Sequence, residues 1–150
     1  ITSVDRDDIK DGGSIIWAET VKAIRDLNPN TTIETLIPDF KGETENIDRI
    51  IKVAPEVVSH NLETVRRLTK VVRIQAKYDR SLEVLKYLKE SGISRTKSGV
   101  MLGLGEKREE VLETLDDLRR VGVDIVTLGQ YLQPSKKHLP VNNFVSPRRI

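Results

Sequence analysis

The sequence predicts an α/β chain of parallel βα repeats, and three observations predict it. β-branched runs alternate with apolar residues at helical spacing along the chain. The repeat length is about 30 residues, that of one βαβ unit. Each expected strand is followed by a polar loop: Asp5-Arg6-Asp7-Asp8, Asp39, Asn61-Leu62-Glu63, Gly103-Leu104-Gly105-Glu106 and Gln130-Tyr131. Right-handed crossovers between parallel strands gather those loops on one rim, where α/β folds hold ligands. A closed eight-unit barrel takes about 250 residues. The 150 residues here therefore make an open doubly wound sheet or part of a barrel, in a single domain over 1–150.

Taken in order, Ile1 to Val4 is strand-like and Asp5 to Gly13 is a polar loop. Ser14 stands where it can cap a helix with a buried stripe of Trp17, Val21 and Ile24, stopped by Pro29. Thr32 to Ile37 reads as the second strand. Ile47, Ile50, Ile51 and Ala54 follow helical spacing before Pro55. Val57 to His60 is a short third strand, and Thr64 to about Val72 reads as helix. Asp79 is the capping residue expected for a stronger helix with Leu82, Leu85 and Leu88 on one face, ended by Gly92. Thr96 to Leu102 is the fourth strand. Val111, Leu112, Leu115 and Leu118 line the next helix, which Gly122 ends, and Ile125 to Leu128 is the fifth strand. Residues 129–150 are rich in Pro, Lys and Asn, lack a period and read as an irregular loop region.

Composition narrows the function classes. Charged residues are 32% and hydrophobic ones 37%, a globular balance, and 25 basic against 23 acidic residues leave a net charge of +2. That balance gives no argument for nucleic acid, whose binders usually show a clustered basic face, and no nucleic-acid partner is expected. No apolar run approaches the roughly 20 residues of a membrane span, and no signal peptide opens the chain. Without cysteine there are no disulfides or thiolate ligands, and cytosol is the default compartment. The opening at Ile1, inside a strand-like run, suggests a piece of a longer protein. Such a piece exposes a parallel edge, so self-association, domain swapping or marginal stability is expected of it alone.

Two polar clusters carry the chemistry. In Ser98-Gly99-Val100-Met101-Leu102-Gly103-Leu104-Gly105-Glu106, the glycines let backbone approach a ligand, and Glu106 can accept from a ligand amine or hydroxyl. The same residues also make an ordinary tight turn with an acid at the next helix start. The full dinucleotide fingerprint and the P-loop lysine are missing. Asn61 and Glu63 lie two apart at a strand end, about 6–7 Å from one another in strand geometry. They suit neighbouring ribose hydroxyls, or else Asn61 caps the next helix. His60 faces the other way and reads as structural. Arg80, in a helix first turn where the macrodipole disfavours a cation, points to a carboxylate or phosphate partner or is simply solvated. Lys136-Lys137-His138 reads as a solvated loop able to attract an acidic protein.

Gly99-x-Met101-x-Gly103-x-x-Glu106 resembles the strand-five motif of the radical S-adenosylmethionine (SAM) enzymes, with methionine where isoleucine is usual. His60-Asn61-Leu62-Glu63-Thr64 resembles the ribose-binding segment shared by biotin synthase and lipoyl synthase. Longer strings are similar to the lipoyl synthase family: Thr2-Ser3-Val4-Asp5-Arg6-Asp7-Asp8 with Asp11-Gly12-Gly13, Leu36-Ile37-Pro38-Asp39-Phe40, and Gly129-Gln130-Tyr131-Leu132-Gln133-Pro134-Ser135 with Lys137-His138-Leu139-Pro140.

The resemblance implies strands two to six of a partial (β/α)6, TIM-like barrel. It implies sulfur insertion at C6 and C8 of an octanoyl group on a lipoyl-carrier protein or domain. SAM and two 4Fe–4S clusters are its implied cofactors. Carried over, Asn61 and Glu63 bind the SAM ribose, Arg80 its carboxylate, and Thr2, Ser3 and Asp5 lie near the amino group. Met101, Gly103 and Glu106 wall the adenine, with Gln130, Tyr131 and Leu132 on its far side. The cluster cysteines of the family are absent, so no catalytic residue or metal ligand is expected in this chain and it should be inactive alone. The alternatives are a biotin synthase-like radical SAM enzyme and a cluster-free SAM- or nucleotide-binding barrel.

Overall fold

The computed structural model describes residues 1–73 and 77–146. The expected irregular region 129–150 therefore lies outside the described residues at 147–150. Helix α1 spans Ser14–Leu27, β1 Glu34–Leu36, α2 Thr44–Val53, β2 Val57–Ser59 and α3 Thr69–Val72. Helix α4 spans Tyr78–Glu90, β3 Arg95–Leu102, α5 Arg108–Arg120 and β4 Ile125–Gln130. The strands pair in parallel in the order β1-β2-β3-β4. A doubly wound sheet reverses its strand order at a switch point. Strict sequence order lacks that reversal, and successive right-handed crossovers then keep the helices on one face, as in a barrel wall.

Alternation along the strands sorts side chains into two layers. Val58 packs with Trp17, Ile47, Ile50, Val84 and Leu88, while Val100 and Leu102 pack with Leu62, Leu85 and Leu118. Burying each such side chain contributes about 1.5–3 kcal/mol. The opposite face is polar. Register puts Ser59 beside Lys97, then Gly99 beside Thr127, then Met101 beside Gly129. Glu34 accepts from Ser59 Oγ and Lys97 Nζ at 2.8 Å each on that face. Among the described residues no helix is long and apolar enough to cross a membrane.

Several local expectations are corrected. The first expected strand contributes one bridge, Thr2 to Leu36, so the described sheet has four strands rather than five. Ser14 does not cap α1. The cap is the Asp11 carboxylate, which accepts from the Ile15 amide (2.9 Å), while Ser14 turns inward and donates to Asn46 Oδ1 (3.1 Å). Asp79 does not cap α4 either, because the helix already starts at Tyr78 and the carboxylate pairs with Arg66 at 2.6 Å. The helix expected from Thr64 begins only at Arg66, as a 3₁₀ turn leading into α3, because Glu63 and Val65 are non-helical. Leu112 is exposed, and the face of α5 buries Thr114, Asp117 and Leu118 instead. Asp117 is tolerated there because its Oδ2 accepts from the Tyr78 hydroxyl at 3.1 Å. Strand β4 runs on to Gln130, so irregular backbone begins at Tyr131.

Candidate ligand site at the strand tips

Beyond Ser59 the chain keeps following β3, with one residue too many. His60 donates to the Lys97 carbonyl (3.0 Å), the Leu62 amide turns to Ser98 Oγ (3.2 Å), and the Glu63 amide returns to the Gly99 carbonyl (2.9 Å). Ser59 pairs with Lys97 and Glu63 with Val100, so four steps on one side oppose three on the other. Such a bulge re-aims side chains at a strand end. Here it brings Asn61 and Glu63 together, the Asn61 amide donating to Glu63 Oε1 at 3.0 Å. The same-side arrangement read from spacing holds, and the two groups are closer than strand geometry implies. Gly99 makes room for them, since a Cβ there would stand 2.9 Å from Asn61 Oδ1.

Asn61 and Glu63 line a hollow of about 210 Å³ together with Thr2, Ser3, Asp5 and Arg73. Arg73 and Asp5 also line an adjoining hollow of about 70 Å³ that holds Asp39 and Arg80. A larger groove of about 290 Å³ lies between α1 and the first residues, lined by Ile9, Ile16 and Trp17. Its polar lining is Thr2, Ser3, Arg6 and Thr20, without a carboxylate, whereas the polar hollows bring carboxylates and arginines together and are the better ligand site.

Arg73 is the residue that sequence reasoning missed. It follows α3 in a stretch without periodicity, and no signal in the sequence singles it out. Its Nη1 donates to the Asn61 carbonyl at 2.9 Å, and to the Leu62 carbonyl (3.4 Å) and Ser81 Oγ (3.3 Å). Burial lowers its pKa from the ordinary arginine value, and the carboxylates of Glu63, Asp39 and Asp5 oppose that shift. An arginine stays charged under such a shift. Arg80, the cation expected from sequence, donates to Asp39 Oδ2 at 3.3 Å. Asp39 is thus one carboxylate partner of Arg80 among the described residues. His60 is structural, as expected: fully buried and pushed down to about pKa 4 by desolvation.

The glycine turn forms a separate knot. Glu106 straps its own loop, accepting from the Gly103 amide at 2.7 Å and the Leu104 amide at 2.9 Å. The tail crosses that loop: the Asn142 amide donates to the Gly103 carbonyl (2.8 Å), and Gln130 Oε1 accepts from the Val145 amide (2.9 Å). Tyr131 is buried and donates its hydroxyl to the Leu139 carbonyl (2.9 Å), whereas Leu132 is exposed. Met101 is the link between knot and hollow, its amide donating to the Glu63 carbonyl at 2.8 Å. Thr2, Ser3, Asp5, Asn61 and Glu63 thus share one hollow with Arg73, Arg80 stands next door, and Gly103, Glu106, Gln130, Tyr131 and Leu132 do not line it.

The donor set fits a nucleoside carrying an amino acid: acceptors for a diol, a cation for a carboxylate, and Asp5 for an ammonium group. It does not fit an iron–sulfur cluster. The chain has no cysteine, and among the described residues no group of His, Cys, Asp and Glu is able to hold a metal.

The model of the radical SAM superfamily matches residues 1–118. The chain is 76% identical over 147 residues to "Lipoyl synthase" of Christiangramia forsetii, covering 98% of this chain and 50% of that protein. It is also 76% identical to "Lipoyl synthase, mitochondrial" of Nematostella vectensis, over all of this chain and 52% of that one. The chain spans about half the length of the curated relatives it matches. In fold it is similar to coproporphyrinogen III oxidase of Escherichia coli, described as a radical SAM enzyme, with TM-score 0.66 at 15% identity over 90% of this chain and 33% of that one. SuiB of Streptococcus suis follows with TM-score 0.55 at 17% identity over 81% and 27%. On the family match and the shared parallel fold, the chain belongs to the radical SAM superfamily.

Proposed function

We propose that this chain is the SAM-binding part of a lipoyl synthase. The whole protein inserts sulfur at C6 and C8 of an octanoyl group held on a lipoyl-carrier protein. The observation that carries this reading is the hollow shared by Asn61, Glu63 and Arg73, in a chain 76% identical to named lipoyl synthases. Bound SAM and two 4Fe–4S clusters, with ligands outside this chain, supply the radical and the sulfur. The contribution of this chain is binding and orientation.

Glu63 and Asn61 hold the ribose hydroxyls. The Asn61 amide occupies Glu63 Oε1, and Oε2, without a partner among the described residues, is left to accept from a hydroxyl. Arg73 takes the methionine carboxylate, and Arg80, which donates to Asp39 in the adjoining hollow, is the second cation beside it. Thr2, Ser3 and Asp5, which line the same hollow, receive the ammonium group. Met101, beside Glu63, packs against the adenine, and the strapped turn of Gly103 and Glu106 with Gln130, Tyr131 and Leu132 bounds that end.

The test uses the full-length protein with its clusters reconstituted. Glu63→Ala and Arg73→Ala should each weaken SAM binding in calorimetric titration by about 1.5–3 kcal/mol, the range for hydrogen bonds to charged groups. Mass spectrometry of an octanoylated carrier incubated with the enzyme should show two sulfur atoms added. Unchanged SAM affinity in both variants defeats the binding assignments, and an unmodified carrier defeats the reaction.

A further inference from the structure

We infer that His60 and Ser81 are positioning residues: the buried imidazole aligns the Ser81 hydroxyl, which fixes the Arg73 guanidinium toward the hollow. The inference rests on the proposed pairing of Arg73 with a ligand carboxylate. His60 is 1% exposed and Ser81 0%. His60 Nδ1 lies 3.0 Å from the Ile37 carbonyl oxygen, and Nε2 lies 2.9 Å from Ser81 Oγ. A carbonyl only accepts, so Nδ1 carries the ring proton and Nε2 of the neutral ring is an acceptor. The single Ser81 hydroxyl proton must then point at His60. Only oxygen lone pairs remain to face Arg73, whose Nη1 donates to them at 3.3 Å.

The relay has a direction. It begins at the end of β1, passes through a ring that desolvation keeps neutral, and ends on an arginine at the tip of β2. Arg73 Nη1 is held by Ser81 Oγ and the Asn61 and Leu62 carbonyls. Its Nε and Nη2 have no partner among the described residues and remain for the ligand. Arginine loses much rotamer freedom on binding, so holding it beforehand raises affinity for the group it meets.

The experiment compares SAM with decarboxylated SAM, which keeps the adenosyl sulfonium and lacks the carboxylate, on the reconstituted full-length protein by calorimetry. Wild type should prefer SAM. Ser81→Ala and His60→Leu should reduce that preference about 3- to 10-fold, the effect of one lost hydrogen bond, with affinity for decarboxylated SAM unchanged. His60→Gln keeps one donor and one acceptor and should retain most of the preference. Ser81→Ala, which removes a single oxygen, carries the test if His60→Leu does not fold. An unaltered preference in folded Ser81→Ala, or equal weakening of both compounds, overturns the relay alone. No preference in wild type removes the Arg73 assignment and the relay together.

Discussion

Glu63 sits in the left-handed region, with φ of 66°, at the residue proposed to meet the ribose. Such a conformation costs a non-glycine residue about 1–3 kcal/mol, and it persists where surrounding bonds over-determine it. Here the Glu63 amide and carbonyl are both tied to β3, at 2.9 and 2.8 Å. Gly99 is the counterpart beneath. In Gly99→Ala the new methyl displaces the Asn61 carboxamide, and SAM affinity of the full-length protein should fall by about tenfold, the effect of one misplaced hydrogen-bonding pair. Equal affinity in calorimetry would show that Asn61 is not needed in this position. His60 adds a pH dependence. Its folded pKa of about 4 lies below the ordinary 6.5, through burial first and the Arg73 charge after it, while the Ile37 carbonyl and Asp39 oppose the shift. The unfolded chain therefore binds a proton that the folded chain refuses. The stabilisation from neutral His60 is complete above about pH 6.5 and is lost as pH falls toward 4, by roughly 1.4 kcal/mol per unit. Denaturant unfolding between pH 6.5 and 5 should show that slope in the wild-type chain and not in His60→Gln.

Among the elements, α5 is joined to the segment after β2 by Arg66, which reaches Asp117 at 3.4 Å, and by Arg67. Arg67 donates from Nε to Glu110 Oε1 (2.7 Å) and from Nη2 to the Gly105 carbonyl (3.0 Å). The Arg67 hydrogen bond is the main reason that the Glu110 carboxyl is lowered to about 2. The contribution of that ion pair is present above the ordinary carboxylate range and is lost as pH falls toward 2. Arg67→Ala frees the glycine turn from the segment after Glu63, and amide exchange at Gly103–Glu106 should quicken with the helices unchanged. Unaltered exchange there would mean that the Glu106 strap alone suffices. The helix layer is held differently, by volume. Leu85 is fully buried between α4 and β3, and Leu85→Ala should cost about 2–5 kcal/mol in denaturant unfolding. A loss below 1 kcal/mol would mean that the layer closes around the gap.

For the molecule as a whole, the open edges decide behaviour. Among the described residues β1 is flanked by one bridge from Thr2 and β4 pairs only with β3, and Val126 and Thr127 are exposed. Unpaired parallel edges pair with other chains. The 150-residue chain should therefore self-associate in light scattering, and a stable monomer at low concentration would contradict this. Much of the architecture is readable in the amino-acid order, because helical and strand periodicities are local properties of a few successive residues. The alternation of elements and the polar loops at the strand tips come from such short-range patterns, whereas the contact of Asn61 with Glu63 is made by the bulge against β3. Packing decided the rest. Arg80 meets Asp39 across 41 positions, Arg67 meets Glu110 across 43, and Tyr78 meets Asp117 across 39. No local period encodes such pairings. That Arg73 faces the hollow while Glu106 turns back on its own loop follows from which surfaces the crossovers press together, and only the folded chain determines that.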